Sequence, residues 1–167
     1  DIKTKQSSIS QSHVLAPQFR TTAGVYAILQ RLIHKAAYRL RKDKMWTTSF
    51  YMKVKYLDDT KWEMSSRLIE CQDTLSLIEA LETFWKQKKH KDYPKPIKAS
   101  IVLGGLVPNE YHNLSLFGEE KRAELSKAMD KLNAKLGKNA VYFAGIQDTK
   151  SSAPTRIAFT NIPDEIL

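Results

Sequence analysis

Residues 49–71 read SFYMKVKYLDDTKWEMSSRLIEC. Phe50, Met52, Val54 and Tyr56 alternate with Tyr51, Lys53, Lys55 and Leu57. After Asp58-Asp59-Thr60, Trp62, Met64, Ser66 and Leu68 alternate with Lys61, Glu63, Ser65, Arg67 and Ile69. Period-two alternation on both sides of a short polar turn predicts a β-hairpin. One of its faces is apolar and the other basic, so the sheet it belongs to should be covered on one side only. Asp58 and Asp59 are read as turn residues, whose carboxylates serve the local backbone, and not as a metal pair.

Working upstream, SSISQSHVLA (7–16) alternates weakly and is expected to form a strand, with Pro17 opening the next element. From Gln18 to Lys42, Val25, Ile28, Leu29, Leu32, Ala36 and Leu40 recur at spacings of three and four. That pattern predicts a long amphipathic helix, with Arg31, Lys35, Arg39 and Arg41 largely off its apolar stripe. Gly24 is a poor residue for its first turns. Downstream, a second helix is expected from Thr74 to Lys89, with Leu77, Ile78, Leu81, Phe84 and Trp85 on its apolar side. Its basic end, KQKKHK, complements the helix dipole, and YPKP (93–96) stops it. IKASIVLGGLV (97–107) predicts a buried strand that ends or bulges at Gly104-Gly105.

The order β-α-β-β-α-β predicts an α+β fold: a four-stranded antiparallel sheet covered on one face by two helices. Its free face would carry Lys53, Lys55, Lys61, Arg67 and Lys98, with Ser65 and Ser100 between them. Ser8, Ser10 and Ser12 of the first strand are expected to join them. A flat face of short polar and basic side chains suits a duplex major groove, where it meets phosphates on both walls. Such contacts position the protein without specifying sequence. Beyond this unit, Leu125, Met129, Leu132 and Leu136 repeat within a helix expected from Glu119 to Leu136, closed by Gly137. NAVYFAGI (139–146) and TRIAFTNI (155–162) are expected to be short strands or extended segments.

Charge follows the same division. Residues 1–108 hold nineteen Lys and Arg against ten Asp and Glu, whereas residues 109–167 hold eight of each. The whole net charge of +9 therefore belongs to the first part, and a basic surface there points to a polyanion such as nucleic acid. The single cysteine, Cys71, cannot form an intramolecular disulfide and is read as a buried structural thiol, which fits the cytoplasm. No apolar run approaches the roughly 20 residues a membrane span needs. The four histidines, His13, His34, His90 and His112, lack zinc-like spacing. There is no phosphate-binding loop, nucleophile elbow or dinucleotide fingerprint. Trp46, Trp62 and Trp85 fall at core spacings or element ends and are read as core. No catalytic or metal-binding residue is assigned.

Three stretches make the chain resemble the little-finger domain of Y-family translesion DNA polymerases of the bacterial DinB/UmuC type. SSISQSHVL is similar to the first little-finger strand, with the usual Lys absent and Ser10 standing for Gly. SFYMKVKYLDDTKWEMSSRLIECQDTLSLIEAL looks like the central hairpin and second helix. LSLFGEEKRAELSKAMDKLNAKLGKNAVYFAG looks like the tail of these polymerases. The resemblance implies residues 1–6 as a linker from a polymerase core, 7–108 as the little finger and 109–167 as a tail. It implies duplex primer-template DNA as partner, a monomer, and a cytoplasmic, nucleoid-associated place. The implied chemistry resides in a palm domain whose carboxylates hold two magnesium ions. No palm segment is present here, so this fragment is expected to be non-catalytic within a nucleotidyltransferase.

The resemblance also gives Asn113-Leu114-Ser115-Leu116-Phe117 a role. Family members carry a Gln-Leu-Ser/Asp-Leu-Phe type pentapeptide that enters a cleft of the sliding clamp. Asn113 departs from it by one methylene. The competing reading has Leu116 or Phe117 stapling the following helix through Leu125. Three other functions share the element order or the family: an RNA-recognition module, a ferredoxin-like regulatory domain, and a polymerase-like accessory protein without catalysis. The first would need stacking aromatics on its third strand, which EMSSRLIEC lacks. The second has no use for a one-sided charge.

Overall fold

The computed structural model describes residues 7–88, 94–112 and 119–144. The hairpin is present, formed by β2 (Met45–Tyr56) and β3 (Lys61–Cys71). Its turn is built as the two aspartates suggested. The Asp58 carboxylate accepts from the Thr60 amide and hydroxyl at 3.0 and 2.6 Å. Asp59 takes the left-handed conformation, φ 64°, which Asp tolerates better than most residues.

β1 (Ser8–Val14) and β4 (Pro96–Gly104) complete a sheet of order β1-β4-β2-β3 in which every neighbouring pair is antiparallel. The two-residue β5 (Val107–Pro108) adds beside the start of β2 and had no signal in the sequence. Since β1 and β2 both oppose β4, they run in the same direction with β4 between them. Each of the two helices therefore serves as a crossover between strands that point the same way.

α1 (Thr22–Lys42) and α2 (Thr74–Lys86) cover one face. The Thr21 hydroxyl caps α1 by accepting from the Gly24 amide at 2.9 Å, and Asp73 caps α2 through the Ser76 amide at 2.8 Å. α1 starts later than the expected Gln18 because Pro17–Phe19 form a separate 3-10 turn. That turn presses on Gly24, where a Cβ would lie 2.3 Å from the Phe19 carbonyl oxygen. The glycine that weakens the helix on propensity is thus required by packing.

The expected α1 stripe is buried throughout, together with Phe50, Met52, Val54, Leu77, Leu81, Ile101 and Leu103. Trp62 is in this core, Trp85 packs against it, and Cys71 is a buried free thiol. The other side of α1 is covered as well: Arg31 is only 5% exposed and bonds to Asn139.

α3 (Glu119–Leu136) docks through polar contacts. Arg41 grips Asp130 with two hydrogen bonds of 2.6 and 2.9 Å, and the Thr74 amide donates to Ser126. Ala123 and Ser126 are its buried residues, while Leu125, Leu132 and Leu136 are exposed. Of the short strand or extended segment expected over 139–146, the described residues 139–144 form a turn and an irregular segment with no strand. Asn133 binds both the amide and the carbonyl of Val141, and Phe143 packs on His34 at 5.3 Å between ring centroids. Residues 155–162 lie outside the described residues.

Candidate nucleic-acid interface

The register sorts the open face into four rows across the sheet. Ser8, Gly104, Ser49 and Arg67 form the first, and Ser10, Val102, Tyr51 and Ser65 the second. Ser12, Ser100, Lys53 and Glu63 form the third, and Val14, Lys98, Lys55 and Lys61 the fourth. All ten sheet residues assigned from the sequence, Ser8, Ser10, Ser12, Lys53, Lys55, Lys61, Ser65, Arg67, Lys98 and Ser100, therefore share one face. Alternation made this legible, because the residues between them point into the core.

The rows also show what the sequence could not. Three lysines meet at one end of the strands and Arg67 stands at the other. At about 3.4 Å per residue, three two-residue steps separate those ends by roughly 20 Å. The rows between hold serines and a neutralised pair. Four strands spaced about 4.8 Å apart make the face some 14 Å across.

Glu63, which the site assignment left out, is the only acidic residue in these rows. It lies 3.1 Å from the Lys53 ammonium and accepts from the Tyr51 hydroxyl at 3.0 Å. Lys53 and Tyr51 together hold its carboxyl below the usual carboxylate range. Lys55 pairs with Asp59 at 2.7 Å, and that bond draws the Asp59 carboxyl down. Both carboxylates are solvent-exposed, so the pairs add little to stability and either lysine can exchange its partner for another anion. Lys61, Arg67 and Lys98 make no ion pair among the described residues.

At the Arg67 end, residues 107–112 are fastened to the hairpin. Trp46 donates its indole N–H to Asn109 at 2.9 Å and stacks on His112 with ring centroids 3.4 Å apart. His112 Nδ1 lies 2.6 Å from Glu70. Trp46 is core, as its spacing implied, but it also fixes the point from which the chain proceeds to residue 113. The pentapeptide Asn113–Phe117 itself lies outside the described residues. Among the described residues no group of three or more His, Cys, Asp or Glu is placed to hold a metal ion, and no helix is long and apolar enough to cross a membrane.

The described residues thus form an α+β module: an antiparallel sheet with two crossover helices on one face and a cationic, serine-lined face on the other. Residues 6–116 match the family model of the impB/mucB/samB family C-terminal domain, and the chain belongs to that family. That family is the C-terminal domain type of Y-family DNA polymerases. No curated protein matches the chain.

Proposed function

We propose that this domain grips duplex primer-template DNA through the phosphates of both major-groove walls and holds a translesion polymerase on it. The carrying observation is the row pattern: cations at two ends of the strands, small polar side chains between. Cations about 20 Å apart flank a 12 Å groove, and serines over the base edges neither clash nor read sequence. Such indifference suits a polymerase whose template bases are damaged.

The grip serves the bacterial DinB/UmuC type of enzyme, acting as a monomer in the cytoplasm beside the nucleoid. Residues 7–108 do the gripping, and 109–167 form a tail that tethers the enzyme to a sliding clamp through Asn113, Leu114, Ser115, Leu116 and Phe117. Catalysis and its magnesium ions belong to palm carboxylates, and no residue of this chain is assigned to them. An inactive accessory parent would use the same grip.

The RNA-recognition alternative is disfavoured by the single aromatic in the four rows. Tyr51 is that residue, and it is tied to Glu63, whereas single-strand readers stack two or three bases. Competition between duplex DNA and single-stranded RNA tests the choice. Duplex should win with no consensus sequence, and a preference for RNA overturns the proposal. For the tail, Leu116→Ala with Phe117→Ala should abolish clamp binding while leaving duplex affinity and melting temperature unchanged. Asn113→Gln should tighten it. A strongly destabilised double variant, in a protein with no clamp affinity to begin with, would favour the helix staple.

A further inference from the structure

The open face ends at the row of three lysines, but the positive charge continues round the strand ends. Leu57 donates to the Lys95 carbonyl at 2.9 Å and Leu15 to the Ile97 carbonyl at 2.8 Å. Arg20 donates from Nε to the Leu15 carbonyl at 3.1 Å. These backbone ties set Arg20 and Lys95 at the same end of the sheet as Lys55, Lys61 and Lys98. Between them opens a cavity of about 120 Å³ whose walls include Arg20, Thr21, Thr22, Lys88 and Lys95. Lys88 reaches its rim over the rings of Trp85 and Trp62, at 5.0 and 5.7 Å.

Two carboxylates of the hairpin turn at this end of the sheet are already engaged. Asp59 is held by Lys55, and the Asp58 oxygen by Thr60. Neither Arg20 nor Lys95 makes an ion pair among the described residues. Val25, Tyr56, Pro94 and Pro96 complete its described wall, none of whose residues is acidic, and a small cavity offering a guanidinium, ammonium groups and threonines suits a compact polyoxyanion.

We propose that this cavity is a second phosphate-binding site, taking a backbone phosphate of the same duplex where one groove wall passes the end of the sheet. The proposal rests on the duplex-gripping reading and extends it. The grip turns the corner from the open face to the helical side, so its footprint is longer than the sheet alone would give. A phosphodiester, and not free phosphate, is the ligand proposed because the cavity lies at the same end of the sheet as the lysine row.

The test uses the full chain with the double variant R20Q/K95Q and with K55Q/K61Q/K98Q, on a long duplex and on one no longer than the sheet covers. Removing the second site should lower affinity for the long duplex several-fold. The slope of log affinity against log salt should fall by about 1–2, near 0.9 for each phosphate lost. Binding of the short duplex should be unchanged. Because Arg20 also holds the Leu15 carbonyl, K95Q alone provides a variant that touches only an exposed ammonium, and it should show about half the effect. If wild type binds no duplex, the gripping reading itself fails. If K55Q/K61Q/K98Q is weakened while R20Q/K95Q and K95Q bind the long duplex like wild type, only the second site is refuted. Inorganic phosphate at constant ionic strength separates the two ligand sources. Should it reduce wild type to the level of R20Q/K95Q, the cavity prefers the free ion and the duplex assignment is overturned.

Discussion

Glu63 shows how a single residue tunes the proposed surface. It directs its charge to Lys53 and Tyr51 in the middle of a face on which the other charged residues are all cations. Replacing it with Gln should free the Lys53 ammonium and remove a charge that repels phosphate. Duplex affinity should then rise, by about two- to ten-fold. A titration of the E63Q variant that shows weaker binding would remove Lys53 from the contact surface. Alternation in the sequence assigned Glu63 to the basic face, but only the register sets it opposite Lys53. Gly24 carries a second lesson at this scale. Propensity marks it as a defect in α1, yet a Cβ there would meet the Phe19 carbonyl oxygen at 2.3 Å. Gly24→Ala should destabilise the fold by about 1–3 kcal/mol, as overpacking does, read as a lower urea midpoint. An unchanged or raised midpoint would mean the 3-10 turn shifts freely.

Among the elements, the hairpin and helices were legible because their periods and caps agree with the packing. α3 was legible as a helix but not in how it docks. Its leucine repeat implies an apolar seam, whereas the structure turns Leu125, Leu132 and Leu136 outward and seats Ala123 and Ser126. The reason lies in residues far away in sequence: Arg41, 7% exposed in its side chain, needs Asp130. Arg41→Leu should cost about 3–5 kcal/mol by leaving the carboxylate without its partner, and Asp130→Leu in the same chain should recover part of it. Thermal melts of the cycle measure this, and simple additivity would deny the coupling. β5 was missed because two residues carry no period.

The return segment after α3 covers His34, whose imidazole is pulled from 6.5 to about 4, by burial first and then by Arg31 and Arg41. A depressed histidine pKa means the unfolded chain binds the proton more readily. Stability is therefore fully present above pH 6.5 and declines as pH falls towards 4, by at most about 3 kcal/mol. His34→Leu should flatten that limb of the stability profile. A profile identical to wild type would show that His34 stays neutral in neither state or both.

At the scale of the molecule, the protein has two ends. The strand ends near Lys55, Lys61 and Lys98 are cationic and continue to Arg20 and Lys95. The opposite end carries Arg67 and the Trp46–His112 stack, from which the chain leads to residue 113. The proposed lysine-row grip and the start of the tail thus lie at different ends, with α3 on the helical side away from the open face. The sequence supplied the charge excess and which residues share the face. The cross-strand rows, the cavity and the two-ended layout depend on pairings between residues up to about a hundred positions apart, which no local pattern encodes. The most direct test of the duplex grip is the salt dependence of duplex affinity for wild type and K55Q/K61Q/K98Q. Wild type should lose affinity linearly in log–log form, and the triple variant should show a slope shallower by roughly 2–3 at an unchanged melting temperature. Equal slopes for the two proteins, or an affinity that ignores salt, would contradict a grip made through this face.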